Sequence, residues 1–186
     1  GGKGSNQAIA AVRLGADVTF LGAIGKDYYG NVATQAWHEN GVNIKYLHQD
    51  DAYETAMALI NVDLAGNNTI AVHQGANLKL TPQHVENATQ AIAKSDIVMC
   101  TLGIPLAVVQ KVFEIADAHN VIKILNPAPA FKLPDKTLRL VDYITPNETE
   151  LSVIADIDLT NGEITDTARQ LLRDDKQVMV ITRGSE

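Results

Sequence analysis

Ile97-Val98-Met99-Cys100, the segment Leu106 to His119, and Ile122-Lys123-Ile124-Leu125 read in order as strand, helix and strand. The two strands are short and almost continuously apolar, and a helix-length crossover separates them. That combination marks a parallel sheet whose strands are buried on both sides. The same alternation extends outward in both directions. Upstream, Ser5 to Leu14 reads as a helix closed by Gly15, Val18 to Ile24 as a strand, and Asn31 to Asn40 as a helix ended by Gly41. Thr81-Pro82 places an N-cap hydroxyl and then a proline at a helix start, which predicts a helix to about Lys94. Downstream come a strand at Tyr143 to Thr145, a helix after Pro146, a helix near Thr165 to Leu172 and a strand at Val178 to Thr182. The predicted class is α/β, a mainly parallel sheet with helices on both faces.

One segment breaks this rhythm. Thr55-Ala56-Met57-Ala58-Leu59-Ile60-Asn61-Val62 and Thr69-Ile70-Ala71-Val72-His73 flank Ala65-Gly66-Asn67-Asn68, a hairpin turn signal. No helix-length segment lies between the two runs, so they are not parallel neighbours. The prediction is an antiparallel hairpin over residues 55–73, projecting from the α/β body as a lid, a dimer contact or both. Met57, Leu59 and Ile70 are its expected contacts with a second copy, which implies a homodimer.

Composition narrows the function. Of 186 residues, 46% are apolar and 20% charged, as in ordinary globular domains. The formal net charge of −7 argues against a nucleic-acid partner, which would call for a basic face. A nucleotide remains compatible, because backbone N–H groups and a single lysine suffice for phosphate. No stretch reaches the roughly 18 apolar residues of a membrane span. The one cysteine, Cys100, lies in an apolar run and is expected to be a buried thiol in a reducing compartment, which makes the cytoplasm the default location.

Chemistry concentrates at the start of the chain. Gly1-Gly2-Lys3-Gly4-Ser5-Asn6-Gln7-Ala8 is a glycine-rich turn that runs directly into helix-forming residues. A helix N-terminus offers unpaired N–H donors and partial positive charge. Glycines let a ligand approach the backbone, and Lys3 and Asn6 can point at it. Other phosphate motifs fail. Gly25-Lys26 lacks a glycine at Phe20 and a hydroxyl at Asp27, so it is no P-loop. The five histidines show no metal-ligand spacing.

The motifs taken in order resemble the PfkB-type, or ribokinase-like, carbohydrate kinases. Gly1-Gly2-Lys3-Gly4-Ser5-Asn6-Gln7-Ala8 with Gly15 and Gly25 follows the family's opening pattern in its ribokinase form. Leu21-Gly22-Ala23-Ile24-Gly25-Lys26-Asp27-Tyr28-Tyr29-Gly30 is similar to its Gly-x-x-Gly-x-Asp-x-x-Gly segment. Asn126-Pro127-Ala128-Pro129-Ala130, Thr145-Pro146-Asn147-Glu148-Thr149-Glu150 and the closing Thr182-Arg183-Gly184-Ser185-Glu186 resemble three later elements. The resemblance implies transfer of the γ-phosphoryl of ATP to the primary hydroxyl of a pentose, with ribose as the expected sugar. It implies that Gly2, Lys3, Gly4, Ser5 and Asn6 contact the sugar, with Lys3 also near the transferred phosphoryl. Asn147, Thr182, Arg183, Gly184, Ser185 and Glu186 would border the nucleotide, and Glu150 would organise Mg2+ through water. A monovalent cation such as K+ is compatible with the family, its site lying outside these residues.

Two departures accompany the resemblance. Where the family carries Leu-Glu-x-Pro, with the glutamate on the sugar, this chain has Leu102-Gly103-Ile104-Pro105. The family's initial strand with a sugar-binding aspartate, and its Gly-Ala-Gly-Asp segment with the catalytic base, are absent from the chain. The expectation is therefore a single incomplete kinase domain over 1–186 that binds ligands without useful turnover. Sibling activities (fructokinase, nucleoside kinase, deoxygluconate kinase) and a non-catalytic sugar or nucleotide binder on the same fold are the alternatives.

Overall fold

Residues 2–159 and 164–184 are described in the computed structural model, which falls into two compact units, Gly1–Ala88 and Thr89–Glu186. The first contains α1 (Lys3–Arg13), β1 (Thr19–Gly25), α2 (Tyr28–Glu39), β2 (Asn43–Asp50), β3 (Met57–Val62), β4 (Asn68–His73), a 3-10 turn over Gly75–Lys79 and α3 (Pro82–Glu86). β1 and β2 pair in parallel through the α2 crossover. Ala8, Ile24, Trp37 and Val42 are buried between these elements, with Val12, Phe20 and Leu47 packed against them. The Phe20 and Trp37 rings lie 4.8 Å apart. β2 carries Lys45, His48 and Asp50 among its apolar residues, so it lacks the continuous apolar signature that reveals its neighbour. Asp50 ends this strand. Its Oδ1 accepts the N–H groups of Ala52 at 2.8 Å and Tyr53 at 3.0 Å and turns the chain.

β3 and β4 form the antiparallel hairpin, and every residue of both strands is exposed. Asp63 organises the turn by accepting the N–H groups of Ala65 and Asn67 at 2.8 and 2.9 Å, while Gly66 takes φ 86°. The register corrects one expectation. Ile60 faces Ile70, so Ile70 shares a face with Ala58, Val62 and Val72, whereas Met57 and Leu59 sit on the other with Ala71 and His73. Because side chains alternate with period two, residues on opposite strands share a face only as the register dictates.

The second unit holds α4 (Thr89–Ala93), β5 (Ile97–Thr101), α5 (Leu106–Ala118), β6 (Ile122–Asn126), α6 (Asp135–Leu140), β7 (Tyr143–Ile144), α7 (Glu148–Ala155), α8 (Ile164–Leu171) and β8 (Val178–Met179). Its sheet has the order β5-β6-β7-β8 and is parallel throughout. The helix expected to run from Thr81 to Lys94 is instead two short ones, α3 and α4. The Ala88 N–H bonds back to the Val85 carbonyl at 2.9 Å, a tight turn that buries both Val85 and Ala88. Asn87 and Thr89, both weak helix formers, sit at that break.

α5 packs on β5 and β6 and buries Val108, Val109, Phe113 and Ala116 completely. Cys100, Leu125 and Ile144 line the packed face of the sheet. Burial pushes the Cys100 thiol up to about 12, so it stays protonated near neutral pH. Lys123 lies on the same face, only 6% exposed, with Nζ 3.2 Å from Asp117 and 3.1 Å from Asp142. Two carboxylates at its tip make a buried ammonium tolerable. On the opposite face Ile97, Met99, Ile122, Tyr143 and Val178 are 38–50% exposed. Among the described residues, no helix is long and apolar enough to cross a membrane.

Candidate functional site

Of the residues assigned to sugar, Gly2, Lys3, Gly4, Ser5 and Asn6 lie in the first unit at the start of α1, and Gly103 lies in the second. Gly2 precedes the helix at φ 95°, a left-handed backbone that glycine alone adopts without strain, and no side chain caps the helix start. The first helical bond runs from the Asn6 N–H to the Gly2 carbonyl at 2.9 Å. The N–H groups of Lys3, Gly4 and Ser5 therefore lie ahead of the hydrogen-bonded ladder, where partial positive charge accumulates. Lys3 and Asn6 are exposed on this turn, and Asn6 lines a surface groove with Ile9, Ala10, Arg13 and Leu14. Ser5 is different. Its side chain is buried, and Oγ accepts the Trp37 Nε1–H at 2.8 Å. That bond ties the helix start to α2, so Ser5 holds the turn in place through its hydroxyl.

In the second unit the assigned nucleotide residues gather at the carboxyl ends of the parallel strands, the edge where open α/β sheets bind ligands. Asn147 follows β7 and caps α7. Its Oδ1 accepts the Glu150 N–H at 2.7 Å, and Glu150 Oε2 accepts the Asn147 N–H at 2.9 Å. This reciprocal box orients both side chains at a helix N-terminus. Thr182 arrives beside Asn147 through a parallel bridge, with its N–H on the Pro146 carbonyl at 3.0 Å. The ladder bonds from Val178, Val180 and Thr182 to Asp142, Ile144 and Pro146 continue β8 to the expected Thr182. Arg183 Nε lies 3.3 Å from Glu148 Oε1, and Gly184 turns at φ 55°. Ser185 and Glu186 fall outside the described residues.

Gly103 follows β5 on the same edge. A Cβ built there meets only Thr101 Oγ1 at 3.8 Å, an ordinary contact, so the position accepts a Cβ. The Leu102 N–H joins this turn to the loop after β6 through the Ala128 carbonyl at 3.0 Å. Asn126, at the end of β6, received no role from the sequence. Its Nδ2 donates to the Thr145 carbonyl at 3.2 Å, while its Oδ1 is enclosed with no hydrogen-bond partner among the described residues. Two sequence signals pointed to it, its place closing an apolar strand and its place at the head of the Asn126-Pro127-Ala128-Pro129-Ala130 motif. No cluster of three or more His, Cys, Asp or Glu suited to a metal occurs among the described residues.

Known proteins bear directly on this arrangement. The family model described as "pfkB family carbohydrate kinase" matches residues 1–186. A ribokinase of Staphylococcus aureus is 40% identical over 187 residues, covering 100% of this chain and 62% of that protein. A ribokinase of Haemophilus influenzae is 36% identical, covering 100% of this chain and 61% of that protein. The solved structure of Arabidopsis thaliana ribokinase complexed with ribose and ATP superposes with a TM-score of 0.87 at 25% identity, covering 100% of this chain and 61% of that one. This chain thus spans about three-fifths of the length of these relatives. With the family model matching every residue of this chain and the parallel α/β architecture in place, the chain belongs to the pfkB family of carbohydrate kinases.

Proposed function

We propose that this protein is an ATP-dependent pentose kinase that converts D-ribose to D-ribose 5-phosphate. The observation that carries the reading is identity of 36–40% with ribokinases along the whole chain. Gly2, Lys3, Gly4 and Asn6 bind the sugar, and the Lys3 ammonium balances charge on the phosphoryl in transit. Asn147, Thr182 and the backbone through Gly184 border the nucleotide. Phosphoryl transfer asks mainly for alignment and charge neutralisation, which this inventory supplies.

The donor set at the start of α7 fits Mg2+. The Glu150 carboxylate and the Asn147 Oδ1 are hard oxygen donors, and Mg2+ keeps several waters rather than filling a protein cage. When bound with ATP, Mg2+ neutralises charge on the β- and γ-phosphates. Glu150 and Asn147 would hold it, already oriented by their shared capping box.

In the complete gene product, ADP release is expected with ribose well above fructose, adenosine or deoxygluconate. Turnover on one of those that exceeds ribose would overturn the assignment. Gly103 supplies a second arm. Gly103→Glu restores the family's carboxylate at a position that accepts a Cβ, and a hydrogen bond to a charged group is worth about tenfold or more in affinity. The variant is expected to lower the ribose KM about tenfold; an unchanged KM places that sugar contact elsewhere.

The hairpin over 55–73 covers the sugar and joins two copies into a homodimer. Its support is the exposed face formed by Ala58, Ile60, Val62, Ile70 and Val72, apolar except for Asn68 opposite Val62 at its turn end. Sedimentation of the complete protein at micromolar concentration is expected to give a dimer, and Ile60→Lys a monomer. The cytoplasm is the proposed location, supported by a lone cysteine kept as a buried thiol.

A further inference from the structure

The Gly25-x-Asp27-x-x-Gly30 stretch takes no part in the sugar or nucleotide contacts assigned above, yet four hydrogen bonds join it to itself and to Thr55. Asp27 precedes α2 and accepts the Gly30 N–H on Oδ1 at 2.7 Å, an ordinary helix cap. It does more. Its Oδ2 accepts the Thr55 N–H at 2.7 Å, and its Oδ1 accepts the Thr55 hydroxyl at 2.7 Å. Thr55 Oγ1 in turn accepts the Gly25 N–H at 3.0 Å. Thr55 is 8% exposed and stands two residues before β3.

The outgoing leg of the hairpin returns to the same place. The Ala76 N–H donates to the Glu54 carbonyl at 2.8 Å. A Cβ on Gly75 would collide with that carbonyl, one on Gly25 with the Tyr53 carbonyl, and one on Gly30 with the Gly25 carbonyl. Glycine is required at all three because backbone passes there. The hairpin itself contributes no buried residue to any core. Its direction must therefore be set at its root.

We infer that Asp27 and Thr55 form a clamp that aims the hairpin, making them positioning residues for the sugar site. The inference rests on the proposed reading of the hairpin as a cover for the sugar. Bonds from N–H and O–H to a carboxylate are stronger than neutral ones, and the Thr55 and Gly30 donors hold the Asp27 carboxyl below its ordinary range. The clamp is therefore charged at any pH near neutral.

Thr55→Val tests it in the complete gene product. Valine keeps the β-branched shape, the backbone bond to Oδ2 and the Asp27 cap on α2. It removes both bonds made by the hydroxyl. Amide hydrogen exchange across β3 and β4 is expected to quicken about tenfold, and the ribose KM to rise about tenfold, with the ATP KM unchanged. Thr55→Ser is expected to restore both. Unchanged hairpin exchange overturns the clamp and leaves the reading of the hairpin standing. Faster exchange confined to the hairpin with an unchanged ribose KM overturns the hairpin as a sugar cover. Faster exchange spread equally over α1, α2 and β1 reduces Thr55 to a stability residue and overturns its positioning role.

Discussion

Lys3→Met in the complete gene product is expected to lower kcat for ribose phosphorylation about 100- to 1000-fold. The size follows from removing one preorganised charge at the site proposed for the transferred phosphoryl. Lys3 occupies the first position of α1, after a glycine whose φ of 95° starts the helix without any side-chain cap. In the proposed reading, backbone N–H groups and the Lys3 ammonium supply positive potential at this turn. Methionine preserves the length of the side chain and its helix propensity. Because Lys3 is exposed, the thermal midpoint should move little. Lys3→Arg should recover only part of the rate, since a planar fork does not place its charge where a compact ammonium does. A kcat within threefold of the parent, in a variant that folds normally, would remove Lys3 from the phosphoryl site.

Phe113→Ala is expected to destabilise the protein by about 3–5 kcal/mol, the usual cost of deleting a fully buried aromatic ring. Phe113 lies on α5, the helix that packs on β5 and β6, and has no exposed surface. Typical domains are stable by only about 5–15 kcal/mol, so this single change consumes much of the margin. Urea unfolding followed by circular dichroism would show it as a large drop in midpoint. Phe113→Leu, which refills most of the space, should cost much less. The proposed ligand edge follows from the same packing, since α5 packs on β5 and β6, which lead to Gly103 and Asn126. A loss below about 1 kcal/mol for the alanine variant would mean that α5 is not central to this unit's core.

The strands most visible in the sequence are those that the fold buries most completely. Ile97–Thr101 and Ile122–Asn126 are apolar runs with a helical period between them, and both appear as parallel neighbours. The helix after Pro146 was equally legible, because asparagine and glutamate three apart are themselves a helix-start signal. β2 escaped notice for the opposite reason. Its lysine, histidine and aspartate break the apolar run, and only pairing with β1 makes it a strand. α6 (Asp135–Leu140) escaped because a six-residue segment is too short for periodicity to register.

The site divides along the same line. Local order wrote the glycine-rich turn, the lysine at a helix start and the Asn147–Glu150 box directly into the chain, since each depends on residues within one helical turn. Partnerships across long separations were invisible there. Thr182 meets Asn147 only because β8 lies beside β7, Ile70 shares a face with Ile60 only through the hairpin register, and Thr55 reaches Asp27 across 28 positions. Helix starts and apolar runs are consequences of neighbouring residues, whereas the meeting of distant side chains depends on how strands align, and backbone hydrogen bonding decides that only once the chain has folded.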